Sequence, residues 1–381
     1  MQNFSFHNPT RIIFGKGTLP KLGAEAAKAG KKALLVYGGG SIKKNGVYDA
    51  VLLSLKKSGV AVIEHPGVKP NPVLSHTREG VRKVLQNDCD LIVAAGGGSV
   101  IDEAKAIAAG AKHSGDVWDF FCGKAAIKEA MPLFTVLTLP ATGSEMNAGC
   151  VVTNEKAAEK FSAHGAALFP RVSILDPETT MSLPRAQVAN GAVDALAHLI
   201  ESYFTTSDRD VQVTDEVVHA LARSVVEATG RILKDPADYN ARASMMWSAT
   251  LALNGLASCG YGGTSFPNHV IEHSLSALYD IAHGAGLAIV MPAWFKRHLE
   301  TAGPERLAKF GAAVFGAANA EGAITAFEEF FRKAGAPVRL SEAGIPAADI
   351  PRIADNAMGL ITLWGMKLTK SEVEEILAKA K

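Results

Sequence analysis

The chain has 381 residues, is 48% hydrophobic, and balances 39 Lys+Arg against 38 Asp+Glu for a net charge of +1. That length fits two or three domains of ~150 residues with sizeable cores. The near-zero charge excludes a basic field that would hold nucleic acid or an anionic membrane. Cys89, Cys122, Cys150 and Cys259 lie far apart without a CxxC pair. This argues against a disulfide framework or a thiolate zinc site and fits a reducing cytoplasm. The start, MQNFSFHNPTRIIFG, lacks the basic-then-apolar pattern of a signal peptide. No uninterrupted apolar run reaches the ~18 residues of a bilayer span.

In chain order, residues 3–14 read as strand-like. Residues 32–37 form a short apolar run ending in Gly38-Gly-Gly-Ser41, and 47–58 have helical spacing. Residues 60–63 are strand-like and 73–87 helical. Residues 90–95 read as a buried strand ending in Gly96-Gly-Gly-Ser99, with a helix over 101–111. Residues 132–139 form another strand, running into Thr138-Leu-Pro-Ala-Thr142-Gly-Ser144-Glu145. This alternation predicts a mostly parallel sheet covered by helices, binding its ligand at the carboxyl ends of the strands. From about Pro184 helical patterns dominate: 185–204, 208–232, 238–256, 266–279, 284–300, 304–317 and 320–334. The expected boundary is therefore 183/184, with a ligand cleft between the domains.

Neither Gly-Gly-Gly-Ser string matches G-x-G-x-x-G, and one such loop alone is as readily a tight turn. Two in one parallel sheet argue for a nucleotide site, with bare amides and a helix N-terminus on its phosphates. After the first string come Lys43 and Lys44, with nothing acidic until Asp49. That favours NADP over NAD, because NAD selection uses an acidic residue near the ribose. The alternative is that both lysines are solvated surface charges.

Asp194 and His198 are four apart in a helical run and share a face, as do His269 and His273; His283 precedes Gly284. One carboxylate with imidazoles suits a borderline divalent metal in a reactive site. There are five candidates for about four positions, and spacing alone does not say which histidine is the spare. His7, His65, His76, His113, His164, His219 and His298 show no partner pattern and read as structural.

These stretches resemble the iron-containing (group III) alcohol dehydrogenase family. Gly96-Gly-Gly-Ser-Val-Ile-Asp102-Glu-Ala-Lys105 is similar to its phosphate loop, and 138–145 to its nicotinamide-side loop. Residues 176–184 through Gly191, Asp194 and Glu201 are similar to one long signature, and His269, His273 and His283-Gly284 to another. Residues 37–44 point to the NADP-linked aldehyde reductase and butanol dehydrogenase branch.

The resemblance implies a Rossmann-like α/β domain over 1–183 and an all-α domain over 184–381, the dehydroquinate synthase-like architecture. It implies Asp194, His198, His269 and His283 as ligands of one divalent metal, Fe(II) or Zn(II). His273 becomes a catalytic residue beside the nicotinamide, a proton relay. The predicted NADP (or NAD) contacts are Gly38, Gly39, Ser41, Asn71, Gly97, Gly98, Ser99, Asp102, Thr138, Thr142, Ser144, Asn147, Lys160 and His273. Ser274-Leu-Ser276 departs from a Pro-Gly pattern of many relatives and is expected at the pocket wall. The implied reaction is hydride transfer between nicotinamide and a small aliphatic alcohol or aldehyde, in a cytoplasmic homodimer. Rival readings are a polyol or glycerol-phosphate dehydrogenase or lyase of the same plan, and a non-enzymatic nucleotide and metal sensor.

Overall fold

The computed structural model describes all 381 residues as two compact units, His7–Leu183 and Pro184–Lys381, the latter joined by Met1–Phe6.

In the first unit, β1 (Arg11–Phe14), β2 (Lys32–Gly38), β3 (Ala61–Val68), β4 (Leu91–Gly97), β5 (Leu133–Leu139) and β8 (Val172–Leu175) form one sheet. A hairpin, β6 (Gly149–Asn154) with β7 (Glu159–His164), stands apart from it. The sheet order is β1-β8-β5-β4-β2-β3, and every neighbouring pair is parallel. β4 is buried from Leu91 to Gly96, the continuous apolar run of a strand covered on both faces. Leu35, Val93, Val136 and Ile174 carry one core across β2, β4, β5 and β8. The helices are α1 (Leu22–Ala26), α2 (Ser41–Lys44), α3 (Val47–Lys57), α4 (Leu74–Gln86) and α5 (Gly98–Gly110). All of α5 except Ser99 is buried.

The expected α/β plan is present, with differences. Only Arg11–Phe14 of the strand-like amino terminus is a strand, and it pairs with β8 of its own chain. Pro9 has no amide to give a ladder, and Asn8 turns the chain: its Oδ1 accepts from Thr10 N at 3.2 Å and its Nδ2 donates to Met146 O at 2.8 Å. The hairpin and β8 were not anticipated: the hairpin strands mix polar and apolar residues too evenly, and β8 is only four residues long.

The second unit is helical: α6 (Arg185–Thr205), α7 (Gln212–Lys234), α8 (Tyr239–Ala252), α9 (Pro267–Tyr279), α10 (His283–Ala302), α11 (Glu305–Phe315), α12 (Ala320–Ala334), α13 (Ile350–Leu363) and α14 (Lys370–Ala378). Asp238 and Asn319 cap α8 and α12, and Thr369 with Glu372 forms a capping box on α14. The last two helices lie beyond the predicted pattern. No helix is long and apolar enough to cross a membrane.

Candidate functional site

α6 is buried from Gly191 to Phe204, yet it carries Asp194, His198 and Glu201 inside that stretch. Charged side chains are almost never fully buried without a partner, so these three call for one. Their spacing of four and then three puts them on one face. α9 supplies His269, Glu272 and His273, all buried, and α10 opens on His283. Gly284 brings that opening turn against α6, since a Cβ there would lie 2.2 Å from Asn190 O. Only glycine permits this approach.

Asp194 Oδ1 stands 3.6 Å from His198 Nε2, 3.7 Å from His269 Nε2 and 3.5 Å from His283 Nε2. These separations exceed a hydrogen bond. Ligands ~2.1 Å from a tetrahedral ion stand about 3.4 Å from one another. Asp194 Oδ1 and His269 Nε2 are buried without any hydrogen-bond partner, a costly arrangement unless a cation joins them. His269 Nδ1 donates to Glu201 and His283 Nδ1 to Glu272, leaving both Nε2 atoms as the inward lone pairs. Burial pushes His198 down to about 4, so it is neutral, the form that binds metal. Burial also opposes charge on His269, but Glu201 and Asp194 outweigh it and push that group up to about 10. Without a metal, His269 therefore carries an extra proton held by these two carboxylates, and an entering metal displaces it from Nε2. The donor set fits a divalent ion.

A second cluster shows what a protonic arrangement looks like. His65 Nε2 and His76 Nδ1 lie 3.2 and 2.6 Å from the same oxygen, Glu103 Oε1. Their rings stack at 4.0 Å, and Lys83 Nζ lies 3.3 Å from His65 Nδ1. Atoms already at hydrogen-bond distance leave no room for an ion. The hydrogen bond to Glu103 raises the His76 pKa. These histidines stay structural, with a partner that no sequence spacing reveals.

His273 neighbours the donor His283: ligand atoms of His273, His283 and Glu272 lie within 4.8 Å of one another. Its ring centroid is 5.7 Å from that of His283 and 6.1 Å from that of Trp364. Ser274 and Ser276, expected at a pocket wall, are buried within α9. The Ser276 hydroxyl donates to Glu272 and so supports the carboxylate that orients His283.

In the α/β unit, β3 lies on one side of β2 and β4 on the other. The winding reverses there, and open parallel sheets bind ligands outside the strand ends at such a point. Gly38 ends β2, Gly39 follows, and Ser41 opens α2; Gly97 ends β4, and Gly98 and Ser99 open α5. A Cβ on Gly98 would meet Thr142 Oγ1 at 2.4 Å, so the segment after β5 rests on the start of α5. Ser99 donates to Pro70 O, holding the buried Asn71 nearby. Thr138 lies in β5, Ser144 and Asn147 in the following segment, and Lys160 in β7, paired with Thr153.

Asp102 is tied to the segment that follows β5. Its Oδ1 accepts from Ser144 Oγ at 2.6 Å and its Oδ2 from Val151 N at 3.1 Å. Burial pushes its carboxyl up to about 6 against the pull of Lys105. Both oxygens are engaged within the protein.

Glu272 was not singled out from sequence, and Glu201 only as a signature residue. The signal was available: Glu201 follows His198 by three, and Glu272 follows His269 by three, so each shares a helix face with a histidine.

The chain matches the model of the "Iron-containing alcohol dehydrogenase" family over residues 9–177 and its carboxyl-terminal model over 188–381. It is 42% identical over 387 residues to a probable NADH-dependent butanol dehydrogenase of Bacillus subtilis, covering 99% of each chain. It is 38% identical over 362 residues to the NADPH-dependent aldehyde reductase YqhD of Escherichia coli, covering 93% of this chain and 92% of the relative. Among solved structures, it is similar to NADH-dependent butanol dehydrogenase A of Thermotoga maritima, with a TM-score of 0.95, 48% identity and coverage of 100% and 99%.

Proposed function

The chain belongs to the iron-containing alcohol dehydrogenase family, and from that premise we propose that it interconverts small aliphatic alcohols and aldehydes, with NADPH preferred. It is an NAD(P)-dependent alcohol dehydrogenase or aldehyde reductase that uses a divalent metal. The observation that carries the reading is the set of three imidazole nitrogens 3.5 to 3.7 Å from Asp194 Oδ1. The test is NAD(P)H consumption at 340 nm with butanal-type aldehydes after loading with Fe(II) or Zn(II). No oxidation with any aldehyde or ketone would overturn it.

In this reading Asp194, His198, His269 and His283 hold the ion. The metal supplies Lewis-acid polarisation of the substrate oxygen, and the nicotinamide supplies or accepts the hydride. Glu201 and Glu272 hold the Nδ1 protons of His269 and His283 and so keep both rings in the ligating tautomer. The apolar residues of α6 and α10 exclude water from the donors. The cofactor contacts are Gly38, Gly39, Ser41, Asn71, Gly97, Gly98, Ser99, Thr138, Thr142, Ser144, Asn147 and Lys160.

His273, buried beside His283, is assigned the proton relay. His273→Ala should retain metal and lose about a hundredfold in kcat, within the usual range for general acid–base groups. Unchanged rates across pH 6–9 would remove the assignment.

The NADPH preference rests on the start of α2. Lys43 Nζ sits 5.2 and 4.5 Å from the Tyr37 and Tyr48 ring centroids, and Glu64 accepts from both hydroxyls. Burial and Glu64 push each phenol up to about 12, so both remain protonated donors. The arrangement fixes Lys43 over the two rings, and Lys44 is exposed. Lys43→Ala with Lys44→Ala should raise KM for NADPH about tenfold, the value of about 1.4 kcal/mol, and barely change KM for NADH. Equal effects on both cofactors would return the lysines to plain surface charges. A homodimer in the cytoplasm completes the proposal.

A further inference from the structure

We propose that Asp102 and Lys105 are positioning residues that hold residues 142–151 in the shape cofactor binding requires; this rests on the cofactor site proposed above. The two are three apart on α5 and share a face. Lys105 is fully buried. Its ammonium donates to Asn147 O at 2.8 Å, Asn147 Oδ1 at 3.0 Å and Gly149 O at 2.8 Å. Three protons thus meet three acceptors within three residues of one segment. Asp102 takes that segment at two further points, Ser144 Oγ and Val151 N.

The segment also ties itself together around these anchors. Asn147 Nδ2 donates to Thr142 O at 3.2 Å, and Asn147 Oδ1 accepts from Gly149 N at 3.0 Å. Ser144 N donates to Thr142 Oγ1 at 3.1 Å. Thr142, Ser144 and Asn147, the three proposed contacts between β5 and β6, are therefore linked to the helix that also presents Gly98 and Ser99. A buried ammonium and a buried carboxylate are costly without partners. Here one segment supplies the partners, so its conformation and the burial of the two charges depend on each other. Neither side chain needs to touch the cofactor to govern its affinity.

The test compares Lys105→Met and Asp102→Asn with the parent holoenzyme. Cofactor Kd is read by nicotinamide fluorescence with both NADPH and NADH. Loop mobility is read by amide hydrogen exchange on protein without cofactor. Each variant should weaken both cofactors about tenfold or more. Amides of residues 142–151 should exchange faster while those of β4 do not. Metal content should match the parent, and kcat at saturating cofactor should stay within about threefold, placing the effect in KM. If Lys105→Met does not fold, the near-isosteric Asp102→Asn carries the test. Unchanged Kd in the folded variants overturns the proposal. So does weakened Kd without faster exchange, which would mean direct contact. Gly39→Trp separates the two layers, because a Cβ at Gly39 meets nothing within 4 Å and the indole would fill the proposed cofactor space. If Gly39→Trp weakens binding and the other two do not, the positioning role alone fails. If Gly39→Trp also leaves Kd unchanged, the cofactor-site reading fails and the proposal with it.

Discussion

His269→Ala will leave a folded protein that retains little divalent metal and loses more than about a thousandfold in aldehyde turnover. A Lewis acid supplies several kcal/mol of transition-state stabilisation, and about 4 kcal/mol corresponds to about a thousandfold. The site has little redundancy: Asp194, His198 and His283 are the remaining donors of the cluster, and removing one nitrogen leaves Asp194 Oδ1 with two neighbours. Asp194→Ala should behave the same way, since the three donor separations all radiate from that oxygen. Metal analysis after dialysis, followed by steady-state rates, checks both. A variant free of metal with full turnover would end the metal assignment.

Glu201→Gln should be the next most damaging change, although Glu201 is not itself a ligand. It is fully buried, accepts the Nδ1 proton of His269, and receives the backbone amides of Asn268 and His269 at the start of α9. A carboxylate there both favours the helix N-terminus and selects one tautomer of the ring. Glutamine can present its NH2 group to Nδ1 instead, and the ring proton then moves to the nitrogen that faces Asp194. Loss of such supporting partners costs 10–100-fold in metal affinity. Competition against a chelator should show a drop of about that size for Glu201→Gln, with a smaller loss for Ser276→Ala, which removes only the support behind Glu272. An unchanged affinity would show that His269 orientation comes from packing alone.

Local periodicity made much of this legible in the sequence, and non-local contacts account for what it missed. β2 and β4 could be read because a strand covered on both faces must be apolar throughout. α6, α9 and α10 could be read because their apolar residues recur at helical intervals. The Asp194–His198 and His269–His273 pairs stood out because i,i+4 residues share a face, but that rule could not decide between His273 and His283. The choice depends on the meeting of α10 with α6, a contact between distant residues. The hairpin of β6 and β7 was missed because half-exposed short strands carry weak patterning. The roles of Asp102 and Lys105 were hidden for another reason. A motif shows that residues recur together, not which partners they meet, and Asp102 meets Ser144 and Val151.

Gly284 carries a wider meaning. A Cβ built there would lie 2.2 Å from Asn190 O, so no side chain fits, and an added methyl would force α6 and α10 apart by about 1 Å. That is the tolerance within which a metal site either closes on its ion or stays too loose to grip it. The ion's environment is thus a property of an interhelical spacing, and belongs to no single helix. Any change that alters how these two helices nest, even far from the histidines, is transmitted to the ligand set as a change in bite. Metal affinity in this protein is therefore a sensitive gauge of core packing, and variants selected for tighter or looser cores should drift in metal preference without a ligand ever being replaced.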